Sequence, residues 1–144
     1  MNFGKTLVIV AHPDDEVLGC GGLIAKLTSQ GREIRVVFIA EGTSCRYNKD
    51  SIQGIKTEIE RRNQCGVKAM DILKVSNYHF YNFPCGRLDK EPIIDIAKLI
   101  EREISDYKPT TILTHSRNDV HNDHKVIFRA VLQATRPVGN VVKN

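Results

Sequence analysis

The sequence predicts an α/β fold of the Rossmann-like kind, in which a mainly parallel sheet lies between two layers of helices. Short runs of β-branched and aliphatic residues alternate four times with segments whose apolar residues recur every three or four positions. The first run, Thr6–Ala11, is continuously apolar and rich in β-branched residues, which is typical of a strand buried on both faces. Because parallel strands need crossover connections, this alternation favours right-handed strand–helix–strand units.

The individual elements follow from these patterns. Four strands are predicted at Thr6–Ala11, Ile34–Ala40, Tyr78–Phe83 and Thr110–Thr114. Four helices are predicted at Val17–Gln30, about Asp50–Leu73, Ile93–Ser105 and His124–Ala134. Gly31 follows the first helix and Pro92 precedes the third, as is common at helix ends and starts.

Size and composition narrow the class of protein. With 144 residues, of which 41% are hydrophobic and 26% charged, the chain has the size of one domain, and we expect residues 1–144 to form a single one. It has no run of 18 apolar residues, and its four cysteines form no C-x-x-C pair. The apolar stretch near residue 6 is shorter than that of a signal peptide, so we expect no secretion by that route. We therefore expect a cytoplasmic protein with reduced thiols.

The charge and the C-terminus add two expectations. A net charge of +4 without a block of Lys or Arg permits anionic substrates and argues against a nucleic-acid partner.

Val138–Lys143 reads as the start of another strand, so we expect a fold that is truncated at its C-terminus. Such a chain would leave an open sheet edge, with which a second copy could pair.

The strongest chemical signal is the segment His12-Pro13-Asp14-Asp15-Glu16, which follows the first strand. In open α/β sheets ligands bind at the carboxyl ends of the strands, and this segment lies at such an end. His12 and Asp15 are three residues apart at a strand-to-helix turn, so both side chains can reach one metal ion, whereas the adjacent Asp14 must diverge. Helix capping accounts for one or two of these acids, but not for the whole segment.

A second cluster, His115-Ser-Arg-Asn-Asp-Val-His121-Asn-Asp-His124, follows the fourth strand. The H-x-x-H spacing of His121 and His124 suits one face of a turn. Zinc prefers imidazole and carboxylate ligands, and its catalytic sites use three protein ligands. Two such clusters on strand ends of one sheet predict a metal site, with His115 and the strand residue His79 expected outside it.

Together the two motifs resemble those of the zinc-dependent de-N-acetylases of the PIG-L/LmbE family, which act on N-acetylglucosaminyl compounds. The resemblance implies that His12, Asp15 and His124 are the metal ligands. It also implies that Asp14 is the general base and that His121 stabilises the oxyanion.

Three other segments are compared with the pattern of that family. Arg61 matches the arginine of an R-x-x-E motif that contacts substrate, with Gln64 in place of the glutamate. The segment Phe83–Asp89 resembles one commonly written FPDNRLD, with Cys85-Gly86 in place of Asp-Asn. Asp119 stands where some members carry a mobile tyrosine.

The implied function is a metal-dependent hydrolase that removes the acetyl group from a small or lipid-linked N-acetyl sugar by attack of a metal-bound water. Zn²⁺ is the expected cofactor, and Fe²⁺ or another divalent ion also fits two histidines and one carboxylate. Asp14 would carry the proton to the amine, and a protonated His121 would meet the oxyanion. Asp123, between His121 and His124, is expected to orient one of them.

Two other functions are considered. The glycines of Gly19-Cys-Gly-Gly22, with Glu41 at the end of the second strand, suggest a nucleotide-binding Rossmann protein. The acidic turn at His12–Glu16 would repel a pyrophosphate, however, so we interpret the glycines as allowing close helix–sheet packing. The other alternative is a catalytically incompetent fragment of the deacetylase family.

Overall fold

A computed structural model of the protein describes residues 3–47 and 52–137, leaving the side chains of residues 52 and 53 undescribed. Its strands are β1 (Thr6–Val10), β2 (Ile34–Ala40), β3 (Asn77–Phe83) and β4 (Thr111–Leu113). Its helices are α1 (Asp15–Ser29), α2 (Ile52–Ile72), α3 (Ile93–Tyr107) and α4 (Asn122–Ala134). Each of these predicted elements is present, and the ends that fall on described residues differ by at most two residues. The start of the second helix at about Asp50 and the strand expected at Val138–Lys143 lie outside the described residues.

The four described strands form one parallel sheet in the order β3-β2-β1-β4. Thr6 of β1 lies opposite Ile34 of β2 on one side and Thr111 of β4 on the other. Every residue of β1 and β2 is buried, as the predominantly apolar sequences of these central strands predict. All four carboxyl ends therefore meet at the same edge of the sheet.

Helices cover both faces of the sheet and complete the three layers. On one face, alternate residues of β1 and β2 pack with Ile96 and Ile100 of α3 and with Ile127 of α4. On the other face, the intervening residues pack with Ile24 of α1 and Met70 of α2. Each such buried aliphatic side chain contributes roughly 1.5–3 kcal/mol, so the sheet is a firm platform for the loops at its edge. The α/β interpretation is confirmed.

The glycines of α1 have another explanation than the one proposed from the sequence. A methyl group added at Gly19 or Gly22 would meet nothing within 4 Å, so neither glycine is needed for close packing on the sheet. The helix is instead interrupted at Cys20, whose φ of −145° and ψ of 17° are not helical. None of the described helices has the combination of length and hydropathy that crossing a membrane requires.

A buried glutamate ties α3 to two strands, away from the sheet edge where the motifs lie. The carboxylate of Glu103 accepts hydrogen bonds from Arg35 Nη1 (2.9 Å), from His79 Nδ1 (2.6 Å) and from the hydroxyl of Tyr81. Burial favours the neutral acid, but the hydrogen bonds from Tyr81, His79 and Arg35 outweigh it and hold the pKa of Glu103 below its usual value. His79 thus lies outside the motif cluster, as predicted.

We predict that Glu103→Gln lowers the free energy of unfolding by about 2 kcal/mol at neutral pH, because the buried donors lose a charged acceptor. The charge of Glu103 stabilises the fold above its ordinary pKa of 4.5. That contribution is lost as the pH falls through the lower pKa of the folded state.

Urea unfolding at neutral pH and near pH 3 measures this dependence. The difference between wild type and Glu103→Gln should shrink on acidification. Glu101→Gln, at an exposed position of the same helix, is the matched control and should stay close to wild type. A Glu103→Gln deficit that is equal at both pH values would contradict the assignment.

Candidate metal centre and active site

The loops that follow the four strands bring the predicted motifs together. His12 follows β1, Glu41 follows β2, Cys85 lies two residues beyond β3, and His115 lies two residues beyond β4. His12 hydrogen-bonds Asp123, which is 111 residues away in the chain. The two clusters that the sequence placed on strand ends therefore form one site.

The imidazole of His12 is held between two carboxylates. It is only 6% exposed, and its Nε2 lies 2.9 Å from Asp123 Oδ2. Its Nδ1 lies 3.4 Å from Asp15 Oδ2. Nε2 is thus held by the carboxylate of Asp123, whereas Nδ1 faces Asp15.

His124 has the same arrangement with a different outer carboxylate. Its Nδ1 lies 3.0 Å from Asp119 Oδ2, and its Nε2 lies 3.3 Å from Asp15 Oδ1. Histidines that bind metals usually have one ring nitrogen on an outer carboxylate or carbonyl, which leaves the other for the ion. The inner nitrogens of His12 and His124 and the carboxylate of Asp15 form such a donor set and fit a divalent cation.

Several sets of three donors overlap at this place. Among the described residues, one possible ligand atom from each member lies within 4.8 Å of the others in three sets: His12, His121 and His124; Asp15, His115 and His124; and His12, Cys85 and Asp123. The predicted trio of His12, Asp15 and His124 is not one of these three sets; the contacts of Asp15 with each histidine bring it together, and its role as the ligand set stays a prediction.

The electrostatics of the site favour a positive charge. Burial opposes protonation of His12, but its hydrogen bonds with Asp123 and Asp15 outweigh burial and raise its pKa to about 11. Burial likewise opposes ionisation of Asp15, yet its bonds with His12 and the charge of His124 hold the pKa of Asp15 below the usual value. A metal ion that binds here would displace the proton of His12.

Asp123 acts on a different histidine from those expected. The sequence suggested that it orients His121 or His124, whereas its carboxylate contacts His12. The same carboxylate accepts the backbone N–H groups of Gly86 (2.6 Å) and Leu88 (3.2 Å). The difference arises because α4 turns the side chain of Asp123 inward, where it is fully buried.

His121 is exposed and caps the N-terminus of α4. Its Nδ1 accepts the backbone N–H of Asp123 at 3.2 Å, and its ring stacks on His124 with centroids 4.5 Å apart. Burial and the neighbouring His124 and His12 lower the pKa of His121. With Nδ1 as the acceptor, a neutral ring carries its proton on Nε2, and the lowered pKa favours this neutral form. The role of His121 at an oxyanion stays a prediction.

His115, which the sequence placed outside the site, lies within it. Its Nε2 accepts the backbone N–H of Ala11 at 2.8 Å, and its ring stacks on His124 with centroids 3.9 Å apart. Burial and the charge of His124 lower its pKa to about 4, so it stays neutral. The available signal was its position at a strand end, the same signal that identified His12.

Asp14 diverges from Asp15 as predicted. Its Oδ2 accepts a hydrogen bond from Arg62 Nη2 at 2.7 Å, and its backbone N–H donates to Glu16 Oε2 at 3.0 Å. The φ of Asp14 is 156°, a value that residues with a Cβ rarely adopt. When such backbone conformations do occur, they are concentrated at functional sites. Glu16 is fully buried, and burial raises its pKa to about 7.

Two adjacent arginines occupy different positions beside Asp14. Arg61 pairs with Glu58 and is 71% exposed on the side chain. Arg62 contacts Asp14 and packs against Gly42, where an added Cβ would lie 2.6 Å from Arg62 Nε. Both arginines line a cleft of about 330 Å³ next to Asp14. The structure thus brings Arg62 to Asp14, and substrate contact by Arg61 stays a prediction.

Glu41 has a local role instead of a nucleotide-binding one. Its buried carboxylate accepts the backbone N–H groups of Thr43, Ser44 (2.9 Å) and Cys85 (2.8 Å). Because these bonds and one from the hydroxyl of Ser44 occupy both oxygens, the carboxylate fixes two loops and does not face a ribose.

Comparison with known proteins decides the family. The profile described as PIG-L, GlcNAc-PI de-N-acetylase, matches residues 7–135. The chain belongs to the PIG-L family. The resemblance based on the two motifs is thereby confirmed.

Curated PIG-L relatives differ in their named reactions. A probable N-acetyl-alpha-D-glucosaminyl L-malate deacetylase 2 of Bacillus cereus is 29% identical, over 89% of this chain and 59% of that protein. An uncharacterized deacetylase of Escherichia coli, YaiS, is 31% identical, over 94% of this chain and 70% of that protein. The 4-oxalmesaconate hydratase of Pseudomonas putida is 29% identical, over 90% of this chain and 51% of that protein. The chain thus spans roughly half to seven-tenths of these relatives.

Solved structures share the fold of this PIG-L chain. The N,N'-diacetylchitobiose deacetylase of Pyrococcus horikoshii superposes with a TM-score of 0.79 at 23% identity, covering 92% of this chain and 49% of that one. The zinc-inhibited form of the teicoplanin deacetylase Orf2 has a TM-score of 0.77 at 20% identity, covering 91% and 63%. These likenesses establish the architecture of the sheet and its helices.

We predict that Asp123→Asn and Asp119→Asn each weaken zinc binding by about 10- to 100-fold, since each removes the outer carboxylate of one inward-facing histidine. Zinc affinity is measured by competition with a chromogenic chelator. Asp71→Asn, at an exposed position of α2, is the matched control.

Two variants are used so that the test remains valid if one of them fails to fold. Asp123 is fully buried, whereas the side chain of Asp119 is 28% exposed, so the second substitution perturbs packing less. Unchanged zinc affinity in a folded Asp119→Asn and a folded Asp123→Asn would contradict the assigned roles of His12 and His124.

Proposed function

We propose that this protein is a metal-dependent hydrolase that removes the acetyl group from an N-acetylated sugar, with His12, Asp15 and His124 holding the ion. The observation that carries the proposal is the convergence of the inner nitrogens of both histidines on Asp15, beside a separate carboxylate, Asp14. Membership of the PIG-L family and relatives named as deacetylases support it. Zn²⁺ is the proposed ion, and Fe²⁺ also suits this donor set.

The residues divide the work of amide hydrolysis. A divalent ion bound here supplies Lewis acidity, which lowers the pKa of a water and polarises the acetyl carbonyl. Asp14 accepts the proton as the water oxygen adds to the carbonyl carbon, and returns it to the nitrogen as the C–N bond breaks. Acetate and a free amine are the products.

His121 serves the developing oxyanion as a neutral donor. Because its Nδ1 accepts the backbone N–H of Asp123, the proposed donor to the oxyanion is Nε2–H. A fixed donor of this kind is worth about 10²–10³ in rate. Its position at the N-terminus of α4 adds the positive end of the helix dipole.

The cleft beside Asp14 is the proposed place for the rest of the substrate. Arg46, Arg61 and Arg62 line it, against the two acids Asp14 and Glu58. This excess of guanidinium groups suits an aglycone that carries a carboxylate or a phosphate.

We predict that the zinc-loaded protein releases acetate from an acidic N-acetylglucosaminide, and that Asp14→Asn lowers kcat by about 10²–10⁴ while zinc content is retained. The physical reason is that an amide cannot accept the proton, whereas the side chain of Asp14 pairs with Arg62 and is not one of the proposed ligands. Acetate release and elemental analysis on the same samples measure both quantities.

Asp71→Asn is again the control. The relative named 4-oxalmesaconate hydratase provides the rival reaction, so an unsaturated dicarboxylate is assayed in parallel. Hydration of that compound without acetate release would refute the deacetylase proposal. Zinc binding without either reaction would favour the catalytically incompetent fragment.

We predict that Arg62→Gln lowers kcat/KM by about 10- to 100-fold. The variant loses a hydrogen bond to a charged group, and the loss of one such bond corresponds to a factor of this size. Arg61→Gln should change it by less than about fivefold, because its pairing with Glu58 is exposed. Steady-state kinetics with one substrate compares the two variants. The opposite order would favour Arg61, the arginine predicted from the sequence, as the one that contacts substrate.

A further inference from the structure

Two cysteine thiols lie in contact at the edge of the site. The Sγ atoms of Cys45 and Cys85 are 3.1 Å apart, and both residues are free cysteines. Cys45 is exposed in the loop after β2, whereas Cys85 is 4% exposed in the loop after β3. This pair therefore combines one thiol that solvent reaches with one that it does not.

The backbone, and not side-chain flexibility, brings the two thiols together. The carboxylate of Glu41 accepts the N–H of Ser44 and the N–H of Cys85, which joins the two loops. Gly86 has a φ of +71°, and a Cβ there would lie 2.9 Å from Cys45 Cβ. Only glycine at this position allows the loops to approach so closely.

We propose that Cys45 and Cys85 are a site of reversible disulfide formation, with the disulfide of a low-molecular-mass thiol as the oxidant. The Cys45 thiolate attacks one sulfur of that disulfide, forming a mixed disulfide and releasing one thiol. The Cys85 thiol loses its proton and attacks Cys45 Sγ, which releases the second thiol. The protein loses two hydrogens and two electrons, and the oxidant gains them.

The disulfide would act on the proposed metal site through Asp123. A disulfide is about 2.05 Å long, so the sulfurs must approach by about 1 Å. Cys85 Sγ lies within 4.8 Å of ring and carboxylate atoms of His12 and Asp123, and the next residue, Gly86, donates its N–H to Asp123. Movement of this loop therefore disturbs the carboxylate that orients His12. This consequence rests on the proposed function, whereas the disulfide itself does not.

The chemistry is tested on the full chain with glutathione disulfide, followed by alkylation and peptide mass spectrometry. We expect one Cys45–Cys85 linkage that a phosphine reductant reverses. Cys85→Ser should instead accumulate glutathione on Cys45, and Cys65→Ser, which removes another exposed thiol, should still form the linkage. Glutathione on Cys45 of the wild type, with Cys85 still alkylated, would overturn the proposal.

The link to the metal site has its own readout. We expect the oxidised chain to bind zinc about tenfold more weakly than the reduced chain, in the range for outer carboxylates of metal-bound histidines. Cys45→Ser treated with the same oxidant should keep the affinity of its untreated form. Equal zinc affinity of the oxidised and reduced wild type would refute the link, and neither measurement depends on deacetylase activity.

Discussion

The carboxylate of Asp123 is the interaction on which the geometry of the site depends. It is fully buried and accepts hydrogen bonds from the His12 ring and from the backbone of Gly86 and Leu88. A buried carboxylate is tolerated only when it is paired and hydrogen-bonded. Therefore the end of β1, the loop after β3 and the start of α4 must all be in place before this charge is accommodated, and the same contacts orient His12.

The neighbouring acids Asp14 and Asp15 show how one segment supplies two chemical functions. Asp15 faces the inner nitrogens of His12 and His124. Asp14 is turned away by its backbone conformation, which the buried Glu16 holds through the N–H of Asp14. One carboxylate is thus committed to a cation, and the other remains beside the cleft with Arg62.

The sequence was sufficient where a local pattern determines the structure. Ile34–Ala40 was predicted to the residue because a strand buried on both faces has a predominantly apolar sequence, here interrupted by Arg35 alone. His12, Asp15 and His124 were found together because parallel strand ends share one edge. Other features could not be predicted, because they depend on side-chain directions that only tertiary packing sets. These are the contact of Asp123 with His12, the contact of Arg62 with Asp14, and the position of His115 within the site.

The hydrogen bond between His12 and Asp123 also affects the stability of the fold, because it joins residues 111 positions apart in the chain. It joins the turn after β1 to the first turn of α4, the helix that follows β4, and the pairing of β1 with β4 consists of only three residue pairs. Closing so long a loop is entropically costly, and few backbone hydrogen bonds offset that cost here. A cation held by His12 and His124 would bind the folded chain in preference to the unfolded chain, and it would stabilise the fold by an amount that rises with the logarithm of its affinity. The residues proposed to bind the cation would therefore also stabilise the association of the first and last described strands.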